Sequence, residues 1–121
     1  MRVAVVGGRT FNNYELLKAT LDSYSITCII SGGATGADTL AATYCKEHNE
    51  CFEEDDPARI ELVVHLPQWD VYGKSAGAVR NQLIVNDAET MVAFWDGSSK
   101  GTKISIDMAK RKGIPVETVY Y

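Results

Sequence analysis

"SGGATGADTLA", residues 31–41, places three glycines, two threonines and an aspartate in eleven positions. A plain strand-to-helix connection needs one flexible residue or two. The stretch follows an apolar run ending at Ser31 and leads into a helical pattern. A second glycine pair stands in "VAVVGGRTF" (3–11), again directly after an apolar, β-branched run. Strand, glycine turn and helix in succession form the unit of a parallel α/β fold, and this unit organises the rest of the chain.

Working outward, short and nearly continuous apolar runs predict strands at Arg2–Val6, Ile26–Ser31, Glu61–Leu66, Thr90–Trp95 and Pro115–Tyr120. Runs of this kind suit strands buried on both faces of a parallel sheet. Between them, helices are predicted at about Asn13–Tyr24, Gly36–Asn49, Gly73–Asp87 and Lys100–Lys112. Asn12, with Glu15 three residues on, is close to a capping box. "KRKGIP" ends the last helix with cations, a glycine and a proline. The expected fold is a Rossmann-like, three-layer α/β domain with a doubly wound parallel sheet of about five strands. At 121 residues the chain is expected to be a single domain, 1–121, with one self-sufficient core.

The unusual sequences all leave the C-terminal ends of strands: "GGRTF", "GGATGAD", "PQWDVYGKSAG" and "DGSSKGT". Open α/β sheets bind ligands at that edge. The connections on the opposite edge lack glycine pairs and read as ordinary turns. Glycines admit close backbone approach, and helix N-termini present free N–H donors, so an anionic ligand is expected. Arg9, Lys74, Arg80, Lys100 and Lys103 fall on or near this edge of an otherwise acidic chain. Thr35, Ser98, Ser99 and Thr102 offer hydroxyls, and Phe11, Trp69 and Tyr72 offer faces for a base. Together these features suit a phosphorylated nucleoside better than a bare phosphate.

Each residue also has a plainer role open to it. Asp38 can brace its own turn. Arg80 can pair with Asp87 or Asp70, Trp69 can close a strand end, and His65 can sit in the third strand as a core residue. Cys45, His48 and Cys51 bunch at a helix end without a fourth ligand, so no metal site is expected. An odd cysteine count without paired spacing points to reduced thiols and a cytoplasmic location. No apolar stretch nears the roughly 20 residues that cross a bilayer, so no membrane partner is expected. The net charge of −4 and the lack of a basic stripe speak against nucleic acid as a partner.

Taken in order, "GGRTF", "SGGATGADTLA", "QWDVYGKSAGAVRN" and "VAFWDGSSKGT" resemble the YspA-like branch of the SLOG superfamily. That superfamily also holds the DNA-processing Smf proteins and the "lonely guy" phosphoribohydrolases. The resemblance spans nearly the whole chain, although segment 51–61 is longer than usual. It implies a domain that binds nucleotides or nucleotide-derived signals of the NAD or ADP-ribose type, often as a homodimer. It implies a pocket lined by Gly7, Gly8 and Arg9, and by Gly32, Gly33, Thr35, Gly36, Ala37 and Asp38. Lys74, Arg80 and Asn81 would approach from the third helix. Gly101 and Thr102 would hold the phosphate on the fourth turn, and the one-sided placement of the glycine turns adds Asp96, Gly97 and Ser99 to the expected lining. The phosphoribohydrolases follow their Gly-Thr turn with a catalytic glutamate. Here the turn reads "GTKISID", without a carboxylate before Asp107. A sensing or sequestering protein with no required cofactor is therefore expected. The alternative is a phosphoribohydrolase-type enzyme using Asp38 or Asp96.

Overall fold

In the computed structural model, which describes residues 1–121, strand β1 (Arg2–Gly7) sends Val3 and Val5 to one face and Ala4 and Val6 to the other. All four are buried, as a central strand of a parallel sheet requires. Strand β2 (Cys28–Ser31) and strand β4 (Thr90–Trp95) flank it. Strands β3 (Glu61–Val64) and β5 (Val116–Tyr120) form the edges, giving the parallel order β3-β2-β1-β4-β5. The chain winds outward from β1 to β3, then returns to β4 on the other side of β1. The switch of direction opens a crevice at the C-terminal ends of β1 and β4.

Helices α1 (Tyr14–Leu21) and α2 (Ala37–Asn49) cover one face, where Leu17, Leu21, Ala41 and Tyr44 join Val5, Ile29, Val92 and Phe94. A short helix α3 (Trp69–Tyr72) and a 3-10 turn (Gly73–Ser75) lead into helix α4 (Ala76–Asp87). With helix α5 (Lys100–Lys112), α4 covers the other face through Ile84, Val85, Ile106 and Ala109. The fold is thus the three-layer doubly wound α/β architecture expected from sequence.

Local boundaries depart from the sequence pattern for identifiable reasons. The cap of α1 is Asn13, whose Oδ1 accepts from the Leu16 amide at 3.1 Å, and not Asn12. Helix α4 starts at Ala76, not Gly73, because Gly73 has a φ of +57° and breaks the helical path. β3 stops at Val64, and Leu62 and Val64 are exposed. As an edge strand it has a neighbour on one side only, so its apolar run does not imply burial. The last helix ends as read, with Gly113 at a φ of +88° after three cations.

Candidate functional site

The glycine turns are locked together, backbone against backbone. A Cβ on Gly7 would lie 2.6 Å from the Cβ of Ala37 and 2.8 Å from the Phe94 carbonyl oxygen. A Cβ on Gly36 would overlap the Gly8 carbonyl oxygen and lie 2.8 Å from that of Arg9, at a φ of +82°. The first and second turns therefore touch with no room for a side chain. Gly32 is bare for another reason: its Cβ would meet Nη1 of Arg80 at 2.5 Å. At Gly8 the obstructing group is the Tyr121 hydroxyl, which also lies 3.2 Å from Oγ1 of Thr10.

Arg80 reaches the second turn from α4. Its Nη1 donates to the Gly32 carbonyl at 2.9 Å and its Nε to Oδ1 of Asn81 at 2.9 Å. It forms no ion pair with Asp87 or Asp70. Asp87 instead takes Arg2 at 2.5 Å and lies 3.4 Å from Nε2 of His65. Asp38, nearly buried, accepts from the Ala34 amide at 3.0 Å and so braces its own turn. Burial raises its carboxyl above the ordinary range, opposed by the Ala34 and Gly32 amides and by the positive charge of Arg80. One guanidinium and one acid thus face each other across a glycine.

The fourth turn is organised by Asp96. Its Oδ1 accepts from the amides of Ser98 at 2.9 Å and Ser99 at 2.8 Å, which hold its carboxyl below the usual range. The Trp95 indole donates to the Ser99 carbonyl at 3.0 Å and fixes the turn from its flank. α5 then starts with no side-chain cap, leaving the amides of its first turn free of intrahelical partners. Thr102 and Ser105 are buried just inside it, with the Thr102 and Ser99 hydroxyls 3.3 Å apart.

These pieces enclose a cavity of about 460 Å³ at the C-terminal edge of the sheet. Of the residues expected at the site, Gly7, Gly8, Arg9, Gly32, Asp38, Arg80, Asn81, Asp96, Ser99, Gly101 and Thr102 line it. Other expected residues stand elsewhere. Phe11 is buried and stacks on Phe94 with centroids 4.6 Å apart, so its ring belongs to the core. Ala37 is buried beneath Gly7, and Gly36 serves the contact between turns. Gly33, Thr35, Gly97, Trp69 and Lys74 stand outside the lining, and Trp69 is 59% exposed.

Thr10, Ile84 and Ser105 line the cavity without having been singled out. Ile84 and Ser105 lie four residues beyond Arg80 and Gly101, one helical turn along the same faces, so helical spacing carried the signal. No grouping of three or more metal-type side chains occurs, and no helix is long and apolar enough to cross a membrane.

The family model YAcAr, the YspA, cpYpsA-related SLOG family, matches residues 1–72. Gene 61 protein of Mycobacterium phage D29 is 30% identical over 89 residues, covering 73% of this chain and 67% of that protein. Among solved structures, DNA processing protein A (DprA) from Streptococcus pneumoniae has a TM-score of 0.65 at 18% identity. That match covers 97% of this chain and 49% of that one. DprA from Helicobacter pylori, described for its single-stranded DNA binding mode, has a TM-score of 0.61 at 19% identity. It covers 98% of this chain and 64% of that one, so this chain spans less than two thirds of either DprA.

The DprA likeness corrects one expectation. Net charge and the lack of a basic stripe point away from nucleic acid, yet a protein built on this fold binds single-stranded DNA. The physical reason lies in charge distribution. Glu53, Glu54, Asp55 and Asp56 are gathered in the connection before β3, at the sheet edge remote from the pocket, while the pocket itself balances Arg9 and Arg80 against Asp38 and Asp96. A whole-chain sum does not describe the local field.

Proposed function

We propose that this chain, which belongs to the YspA, cpYpsA-related SLOG family, binds a nucleotide-derived ligand of the NAD or ADP-ribose type in the carboxyl-edge pocket, as a sensor or sequestering protein. The observation that carries the reading is the pocket's make-up. About 460 Å³ falls within the range of small-molecule sites, and the lining joins two arginines, two carboxylates and the open amides of α5. On this reading the phosphate sits against Gly101 and Thr102 with Arg9 nearby, where no acid stands in the first helical turn. Asp38 partly cancels the positive end of α2, which suits a sugar hydroxyl there better than a phosphate.

Calorimetry with AMP, ADP-ribose and NAD tests this. Saturable binding of one of them, weakened about tenfold or more in Arg80→Ala, is the expected result, and no binding of any overturns it. A second reading is single-stranded nucleic acid in the same pocket, favoured by the fold shared with the H. pylori DprA. A thymidine oligonucleotide bound more tightly than every mononucleotide, with a steep salt dependence, selects it. Release of free base during either titration places the chain among enzymes instead.

A further inference from the structure

The cavity is short of what a nucleotide base needs. Its lining is polar, with Val6, Ala34 and Ile84 as its apolar side chains and no aromatic ring among them. A base that leaves water is received on a flat aromatic or apolar face. The rings that the sequence offers for this purpose are spent or remote. Phe11 is buried in the core, and Trp69 and Tyr72 belong to α3, outside the lining. Trp95 is tied to the Ser99 carbonyl and packs on Tyr120, with centroids 5.8 Å apart.

One ring remains, and it touches the cavity wall. Tyr121 follows β5, its amide donating to the Trp95 carbonyl at 3.3 Å. Alternation sends Tyr120 to the face of α5 and Tyr121 to the face of α1. There Phe11 supports the Tyr121 ring edge-on, with centroids 4.9 Å apart and the planes at 61°, and Phe94 in turn supports Phe11. The hydroxyl lies 3.2 Å from Oγ1 of Thr10 and fills the space where Gly8 would carry a Cβ. Gly8 and Thr10 both line the cavity. The ring is thus braced from below and at its tip, yet remains 40% exposed. A ring already held in place loses little freedom when another stacks on it. We infer that Tyr121 is the aromatic face of this site, on whose ring the base of a bound nucleotide stacks, with the sugar and phosphate inside the cavity. The inference rests on the nucleotide reading of the pocket, and it selects a base-bearing ligand over a bare sugar phosphate.

The test compares Tyr121→Leu, which removes the ring and keeps apolar bulk, with Tyr121→Phe, which keeps the ring and loses the hydroxyl. Calorimetry uses whichever of AMP, ADP-ribose and NAD the wild type binds, beside ribose 5-phosphate, and thermal melting checks that each variant folds. Tyr121→Leu should weaken the nucleotide about tenfold or more, and Tyr121→Phe by less than about threefold. Proton NMR gives a second readout, since all three nucleotides carry adenine. In the wild type, the adenine ring protons should show Overhauser contacts to the Tyr121 ring and move upfield in its ring current. Nucleotide affinity unchanged in Tyr121→Leu, or adenine protons without contact to residue 121, overturns the inference while the pocket reading stands. Equal losses for the nucleotide and ribose 5-phosphate also overturn it, since the ring would then only brace the first turn. A wild type that binds none of the three nucleotides removes the pocket reading, and this inference with it.

Discussion

Two kinds of connection leave the same edge of the sheet, the glycine turns after β1 and β2 and the arm from Leu66 to Ser75, which joins Trp69 and Tyr72 to a single glycine. The turns after β1 and β2 are welded to each other, to α2 and to Arg80, and their glycines are filled space. The arm from Leu66 to Ser75 has no buried residue, and a Cβ on its one glycine, Gly73, would meet nothing within 4 Å. Glycine content alone does not mark a binding turn. What marks it is a neighbour standing where the side chain would have been.

The comparison breaks most readily at Gly36. Gly36→Ala must push against two carbonyl oxygens at a positive φ, and should cost about 3 kcal/mol or more of stability. Denaturant unfolding of this variant beside Gly101→Ala, which meets open space, gives the contrast. A loss under 1 kcal/mol at Gly36 would show that the turns are not interlocked.

Arg80→Ala comes next. It should weaken binding of whichever nucleotide the wild type takes by about 1.5–3 kcal/mol, the range for a hydrogen bond to a charged group. The same substitution sharpens the account of Gly32. Gly32→Ala collides with the movable end of Arg80, so its cost, about 1 kcal/mol, should nearly vanish when Arg80 is already alanine. Additive costs would mean that the turn, not the guanidinium, requires the glycine.

Asp38 makes a smaller difference, read through pH. Its folded carboxyl is raised above the unfolded value, so its charged form opposes folding at neutral pH. Stability therefore rises as pH falls through the raised folded value toward about 3.9. In unfolding curves, wild type should gain on Asp38→Asn over that window. A wild type that loses ground there would show that Arg80 and the turn amides outweigh burial. The smallest effect belongs to the arm. Trp69→Ala should change stability by less than about 0.5 kcal/mol, since the ring is 59% exposed.

Much of the fold was legible because βα succession and apolar runs are local signals, and local signals suffice for a doubly wound sheet. The pocket's edge was legible from the one-sided glycines, though not their reason. That reason is supplied by Arg80 and Tyr121, distant in sequence from the glycines they touch. Phe11 follows the first turn and could have faced the ligand or the core. Only the placement of Phe94 on the neighbouring strand decides for the core. β3 reads like an inner strand because its composition is apolar. Its position at the edge depends on strand order, which no short stretch encodes.

The central claim is that the interlocked turns, and not the arm, hold the ligand. Amide chemical-shift mapping of the 13.3 kDa chain titrated with ADP-ribose, NAD and AMP tests it most directly. The expected result is saturable shifts at Gly7–Thr10, Gly32–Asp38 and Asp96–Thr102, with Trp69–Lys74 unmoved. Shifts confined to the arm and β3, or none with any of the three, would contradict it.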